Sequence, residues 1–193
     1  GISSQIDLSS LVSFQDTSTS SWNGDWPGFS TMGASNYGSL LTPKLESIST
    51  VIVTHGTGSI DVSKVKSFTN SQININTSGV TYPSLMTMRD TSITTSFSYT
   101  FPLVTNINGA SVYASGGAVV SFPAVTMFTS TWRSVFQATG TGSLISLAGL
   151  KQIANDSSNT KRLDIQALTG GKVDLKNVVS ITDPASDPGN RSV

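Results

Sequence analysis

Apolar and polar residues follow a nine-position phrase that returns eight times along this chain. Apolar side chains take the first, third, sixth and ninth positions, as in Ile60, Val62, Val65 and Phe68. Copies begin at Ile6, Leu40, Ile60, Val80, Tyr99, Val120, Ile145 and Val173; only the second departs from the rule, with Thr42 at its third place. Alternation over the first three positions predicts a short strand with one buried face. The fourth position is often Pro or Ser, as in Pro43, Ser63, Pro83, Pro102 and Pro123. Proline has no N–H to give a ladder, so the strand turns a corner there. The sixth and ninth positions then point back inward.

A looser strand follows most of the phrases, at Val51-Ile52-Val53-Thr54, Ile73-Asn74-Ile75-Asn76, Ser111-Val112-Tyr113-Ala114, Val135-Phe136-Gln137-Ala138 and Leu163-Asp164-Ile165-Gln166. Each soon reaches a glycine, which turns the chain into the next copy at no steric cost. Ser, Thr, Gly and β-branched residues dominate and no 3.6-residue stripe appears, so helix has little support. Self-similarity at about twenty residues marks a solenoid, in which each repeat is one coil. Two or three short strands per coil predict a single right-handed parallel β-helix of about eight coils over residues 1–193. A leucine-rich horseshoe would need an Asn or Cys ladder that is missing here. The stretch 15–39 reads as an insertion between the first two copies, and 182–193 as an incomplete last coil.

Composition narrows the surface chemistry. Only 11% of residues are charged, against roughly 25% in an average soluble domain. Ser and Thr number 58 of 193, so the surface is polar but largely neutral. Eleven basic residues balance eleven acidic ones, which leaves no field to draw nucleic acid or anionic lipid. No apolar run reaches the length of a membrane span. With no cysteine, disulfides, thiolate metal sites and a cysteine nucleophile are all excluded. No phosphate-binding loop, calcium-binding nonapeptide repeat or metal-ligand cluster is present, so no cofactor or metal is expected.

Two joints, Ala138-Thr139-Gly140-Thr141-Gly142-Ser143-Leu144-Ile145-Ser146-Leu147 and Ala167-Leu168-Thr169-Gly170-Gly171-Lys172-Val173-Asp174-Leu175, resemble repeats in very large bacterial surface or secreted adhesin-like proteins. The resemblance implies a right-handed β-helix in an extracellular or cell-surface setting. It implies no catalytic residues.

Several residues invite a chemical reading. His55, the only histidine, precedes Gly56 and reads as a turn residue. Asp7, Asp61 and Asp174 share the second place of the phrase and would lie on one outer face, where solvated acids discourage edge pairing. An ice-binding face would need a regular Thr array, which Ile52, Thr54, Asn74 and Asn76 do not make. Trp22, Trp26, Tyr37 and Trp132, with Tyr113, form the candidate carbohydrate-binding set, because aromatic faces stack on the C–H faces of sugar rings. Trp22 and Trp26 fall in the insertion, and their other role would be to cap the first coil.

The expected function is a non-enzymatic structural or adhesive extracellular segment. Its partners would be copies of itself, joined at coil ends into a fibre or surface layer, or surface glycans. The alternative is a carbohydrate-binding or carbohydrate-degrading β-helix module.

Overall fold

In the computed structural model the chain winds as an all-β parallel solenoid of about six turns. Residues 4–17, 29–131, 133–155 and 162–182 are described. Every strand pairing among them is parallel. Each regular coil has three strands, and the strands stack into three faces.

The first face carries the opening of the phrase. It comprises Gln5–Asp7, Ser39–Leu41 and Ser59–Ile60, then Tyr99–Thr100, Val119–Ser121, Leu144–Ser146 and Lys172–Asp174. The second face carries its close. It runs through Ser13–Gln15, Ser47–Ser49, Ser67–Thr69 and Thr87–Arg89, then Met127–Ser130, Gln152–Asn155 and Ser180–Thr182. The third face is one unbroken seven-stranded sheet: Ser30–Ala34, Val51–His55, Gln72–Ile75, Ser92–Thr95, Ser111–Ser115, Arg133–Thr139 and Arg162–Leu168. Its seven strands lie one between each successive pair of the eight phrases. The stretch 15–39 supplies Ser30–Ala34, the first strand of this face.

All eight phrases close the same corner. The sixth-place N–H donates to the third-place carbonyl, from Leu11 to Leu8 through to Val178 to Leu175, at 2.8–3.4 Å. That is the i to i+3 bond of a β-turn, and proline at the fourth place supplies the φ that its second residue needs. The corner into the third face is different. Thr50, Asn70 and Asp90 stack there in the left-handed region, at φ 58°, 47° and 51°, and Gly109 continues the row at 71°. Their N–H groups donate to the carbonyls of Thr69, Arg89, Asn108 and Thr129, each one coil further on.

The second face loses its strand at 105–108, where Asn106 Oδ1 accepts the Asn108 N–H at 3.0 Å and Asn108 Oδ1 accepts the Thr129 N–H at 2.8 Å. The Asn108 amide thus joins the backbone bonds from Met88 to Asn106 and from Gly109 to Thr129 in carrying the stack across this coil.

Inward side chains build one continuous core. The ninth-place column of Ile48, Phe68, Met88, Ile107, Phe128 and Ile153 is buried, and so is the sixth-place column of Leu45, Val65, Leu85, Val104, Val125 and Leu150. The third-place column holds an aromatic run, with Phe101 stacked on Phe122 at 5.0 Å between ring centroids. Thr42, the one exception to the rule, is fully buried, and its hydroxyl donates to the Asp61 carbonyl at 2.6 Å. At both ends inward residues reach solvent: Ile6 is 59% exposed, Ile165 42% and Ile181 62%.

Candidate functional site

The third face is where structure and surface chemistry coincide. Its strands alternate inward and outward along the chain, so the parallel register sorts the outward residues into rows. One row runs Gly33, Thr54, Asn74, Thr94, Tyr113, Gln137, Gln166. A second begins Thr31, Ile52, Gln72, Ser92, Ser111. Neighbours within the first row hydrogen-bond, Asn74 to Thr54 at 3.4 Å and Gln137 to Gln166 at 2.6 Å. A shallow open groove crosses the margin of this face, lined by residues that include Thr31, Gly33, Ser35, Thr54 and Gly56.

The arrangement is hydroxyls and amides on a flat support. Each such group both donates and accepts hydrogen bonds, and the rigid sheet holds one every coil. The first five strands carry no Lys, Arg, Asp or Glu, and their one histidine, His55, points inward. Charges on this face begin only with Arg133, Arg162 and Asp164, the last two of which form an ion pair at 2.8 Å.

Of the aromatic set expected to bind carbohydrate, Trp22, Trp26 and Trp132 lie outside the described residues. Tyr37 is 72% exposed. It follows Asn36 in a turn closed by the Gly38 N–H on the Ser35 carbonyl at 2.9 Å, and both residues have positive φ, 49° and 61°. A tyrosine in that region is strained. Tyr113 is half-buried in the middle of the outward row.

His55 is not a turn residue. It ends the strand Val51–His55 with its ring inward, 2% exposed, and Nε2 lies 2.5 Å from the Tyr82 hydroxyl. Burial pushes its pKa down to about 4 and pushes Tyr82 well above the usual phenol range. The two therefore share one hydrogen as neutral groups. Phe68 meets the Tyr82 ring edge-on at 5.6 Å. The alternation in Val51-Ile52-Val53-Thr54 carries on to His55 as an inward position, and that signal outweighs the glycine after it.

Asp7, Asp61 and Asp174 share a job at the corner. Each accepts, through Oδ1, the N–H two residues on: Ser9 at 2.9 Å, Ser63 at 3.1 Å and Lys176 at 3.2 Å. These are Asx-turns, which hold the chain at the start of the β-turn. The hydrogen bonds from Ser9 hold the Asp7 carboxyl below its ordinary value. Asp7 and Asp61 are separated by the coil that carries Leu41, so the acids form no cluster. Among the described residues no group of three or more His, Asp or Glu is placed to hold a metal ion.

Comparison with protein-family models, with curated proteins and with solved structures finds no match for this chain.

Proposed function

We propose that the chain is a rigid structural or adhesive segment of an extracellular protein, of the kind found as β-helical repeats in large bacterial surface adhesins. The carrying observation is the unbroken seven-stranded third face over a continuous core. Such a stack transmits load coil to coil and holds surface groups at fixed spacing. The Ser- and Thr-rich, weakly charged surface suits that role, and so do the glycine joints shared with adhesin-like repeats.

The coil ends give this segment a means of assembly. Ile6 at one end and Ile165 and Ile181 at the other expose inward-facing apolar groups on strands that, among the described residues, pair on one side only. Each end presents one strand of each of the three faces, so a second copy can continue the ladder head to tail. That contact is heterologous and propagates into a fibre.

Light scattering and negative-stain electron microscopy over a hundredfold concentration range test the reading. Rods of one width that lengthen with concentration, and shorten when Ile165 and Ile181 are both changed to Lys, are the expected result. Globular monomers at every concentration would remove the assembly.

A further inference from the structure

We propose that the outer side of the third face, from Thr31 to Tyr113, binds an uncharged polysaccharide laid along the solenoid axis. The inference rests on the adhesive part of the reading above and names the partner that part requires.

Charge is absent from the first five levels of the third face among the described residues. The strands and following turns of the first five third-face levels, residues 29–39, 51–58, 71–79, 91–99 and 110–119, are forty-seven residues without a Lys, Arg, Asp or Glu. At the 11% charge of the whole chain, about five would be expected there. The described charges of this part of the chain lie on the phrase and its corners instead, at Lys44, Glu46, Asp61, Lys64, Lys66, Arg89 and Asp90. A face for ionic ligands would need at least one of these groups turned toward it.

What the face offers is hydrogen bonding and one aromatic ring. Thr54, Asn74, Thr94 and Tyr113 follow one another in register, and strands about 4.8 Å apart place five levels over roughly 19 Å. A chain of neutral sugar residues presents hydroxyls at regular steps along one edge and C–H surfaces on its faces. Rows of hydroxyl and amide groups match the first, and the half-buried Tyr113 ring matches the second. Protein interfaces depend on desolvated aromatic and aliphatic anchors, and these two rows contribute only Ile52 and Tyr113 of that kind. A glycan therefore fits this face better than a second copy does.

Affinity electrophoresis tests the proposal with the protein run in native gels that contain hydroxyethylcellulose, galactomannan or dextran, and in polygalacturonate gels as the anionic control. Retardation by at least one neutral polymer, with at least a tenfold loss of affinity in both Thr94→Glu and Tyr113→Ala, is expected. Asn74→Asp, which changes charge without changing size, gives the same readout should either variant unfold. Free mobility in every neutral gel overturns the proposal. So does retardation that the variants leave unchanged, or a stronger effect in polygalacturonate. Dimers that Thr94→Glu separates, without retardation, would assign the face to a second copy. Rod formation through the coil ends is read separately by light scattering, so the loss of one result leaves the other standing.

Discussion

The Thr131 hydroxyl donates to Asp90 Oδ1 across an intervening coil, directly over Gly109. Asp90 and Gly109 are successive members of the left-handed corner stack, and Thr131 follows on the level beyond. The strap spans 41 residues of sequence, and it exists because Gly109 has no side chain. A Cβ there would meet both partner oxygens. Gly109→Ala adds that clash to a φ of 71° that L-residues rarely adopt, so it is expected to cost about 3 kcal/mol. Thr131→Val, which removes only the bond to a charged acceptor, should cost about 1.5–3 kcal/mol. Urea denaturation of both variants measures the difference, and equal stability of Gly109→Ala and the parent would discard the strap.

The same corner stack contains a residue poorly suited to its place. Thr50 is β-branched and sits at φ 58°, where Asn and Gly are far better tolerated. Its hydroxyl receives only a long bond from Asn70, 3.4 Å. Thr50→Asn should raise stability by roughly 0.5–1 kcal/mol, seen as a higher urea midpoint with an unchanged m-value. A loss of stability would mean that the Thr50 hydroxyl matters more than its backbone.

Two kinds of information were encoded differently in this chain. The phrase was legible because a buried column demands apolar residues and a proline corner demands proline, so eight copies announced eight β-turns. The third face was only partly legible. Ser92–Thr95 presents just one large apolar residue, Ile93, and Ser30–Ala34 just Met32, because Thr95 and Ala34 fill other inward places of these strands. Left-handed corners built from Thr50 and Asp90 carry no glycine to reveal them. The Asp90–Thr131 strap and the neutral side depend on which residues lie level in neighbouring coils, and register emerges only when the coils stack. His55 was misleading for a local reason: the following glycine suggested a turn, whereas the alternation that buries the ring starts four residues earlier.

Burial of His55 makes stability depend on pH in a defined window. Its pKa is about 4 when folded and about 6.5 when unfolded. Between those values the unfolded chain binds the extra proton, so stability is full above pH 6.5 and declines as pH falls toward 4. A shift of that size corresponds to roughly 3 kcal/mol. Tyr82 acts on the other side: its pKa is raised on folding, so its contribution is lost as pH rises above about 10. Replacing the pair together, His55→Leu with Tyr82→Phe, avoids leaving one polar group alone in the core. Urea titrations from pH 4 to 8 should show a steep acid limb in the parent and a much shallower one in the double variant. An unchanged acid limb would place the responsible proton elsewhere.

Thr42 separates a rule read from the repeat from a rule read from the structure. The repeat alone says that an apolar residue belongs at the third place, so Thr42→Val should stabilise by restoring the pattern. The structure says the opposite. In other coils the third-place N–H donates to the second-place carbonyl one coil on, as from Phe101 to Ser121, Phe122 to Ser146 and Leu147 to Asp174. At the second copy the Asp61 carbonyl receives the hydroxyl of the buried Thr42 instead, at 2.6 Å in a part-buried setting. Valine keeps the shape and removes the donor, which leaves a carbonyl partner without its bond. The expected cost is about 1–3 kcal/mol, because an unmade buried hydrogen bond outweighs the small gain from an added methyl. Thr42→Ser, which keeps the hydroxyl and loses a methyl, should cost less than Thr42→Val. The reverse order in thermal or urea unfolding would show that apolar filling, and not this bond, governs the third-place column.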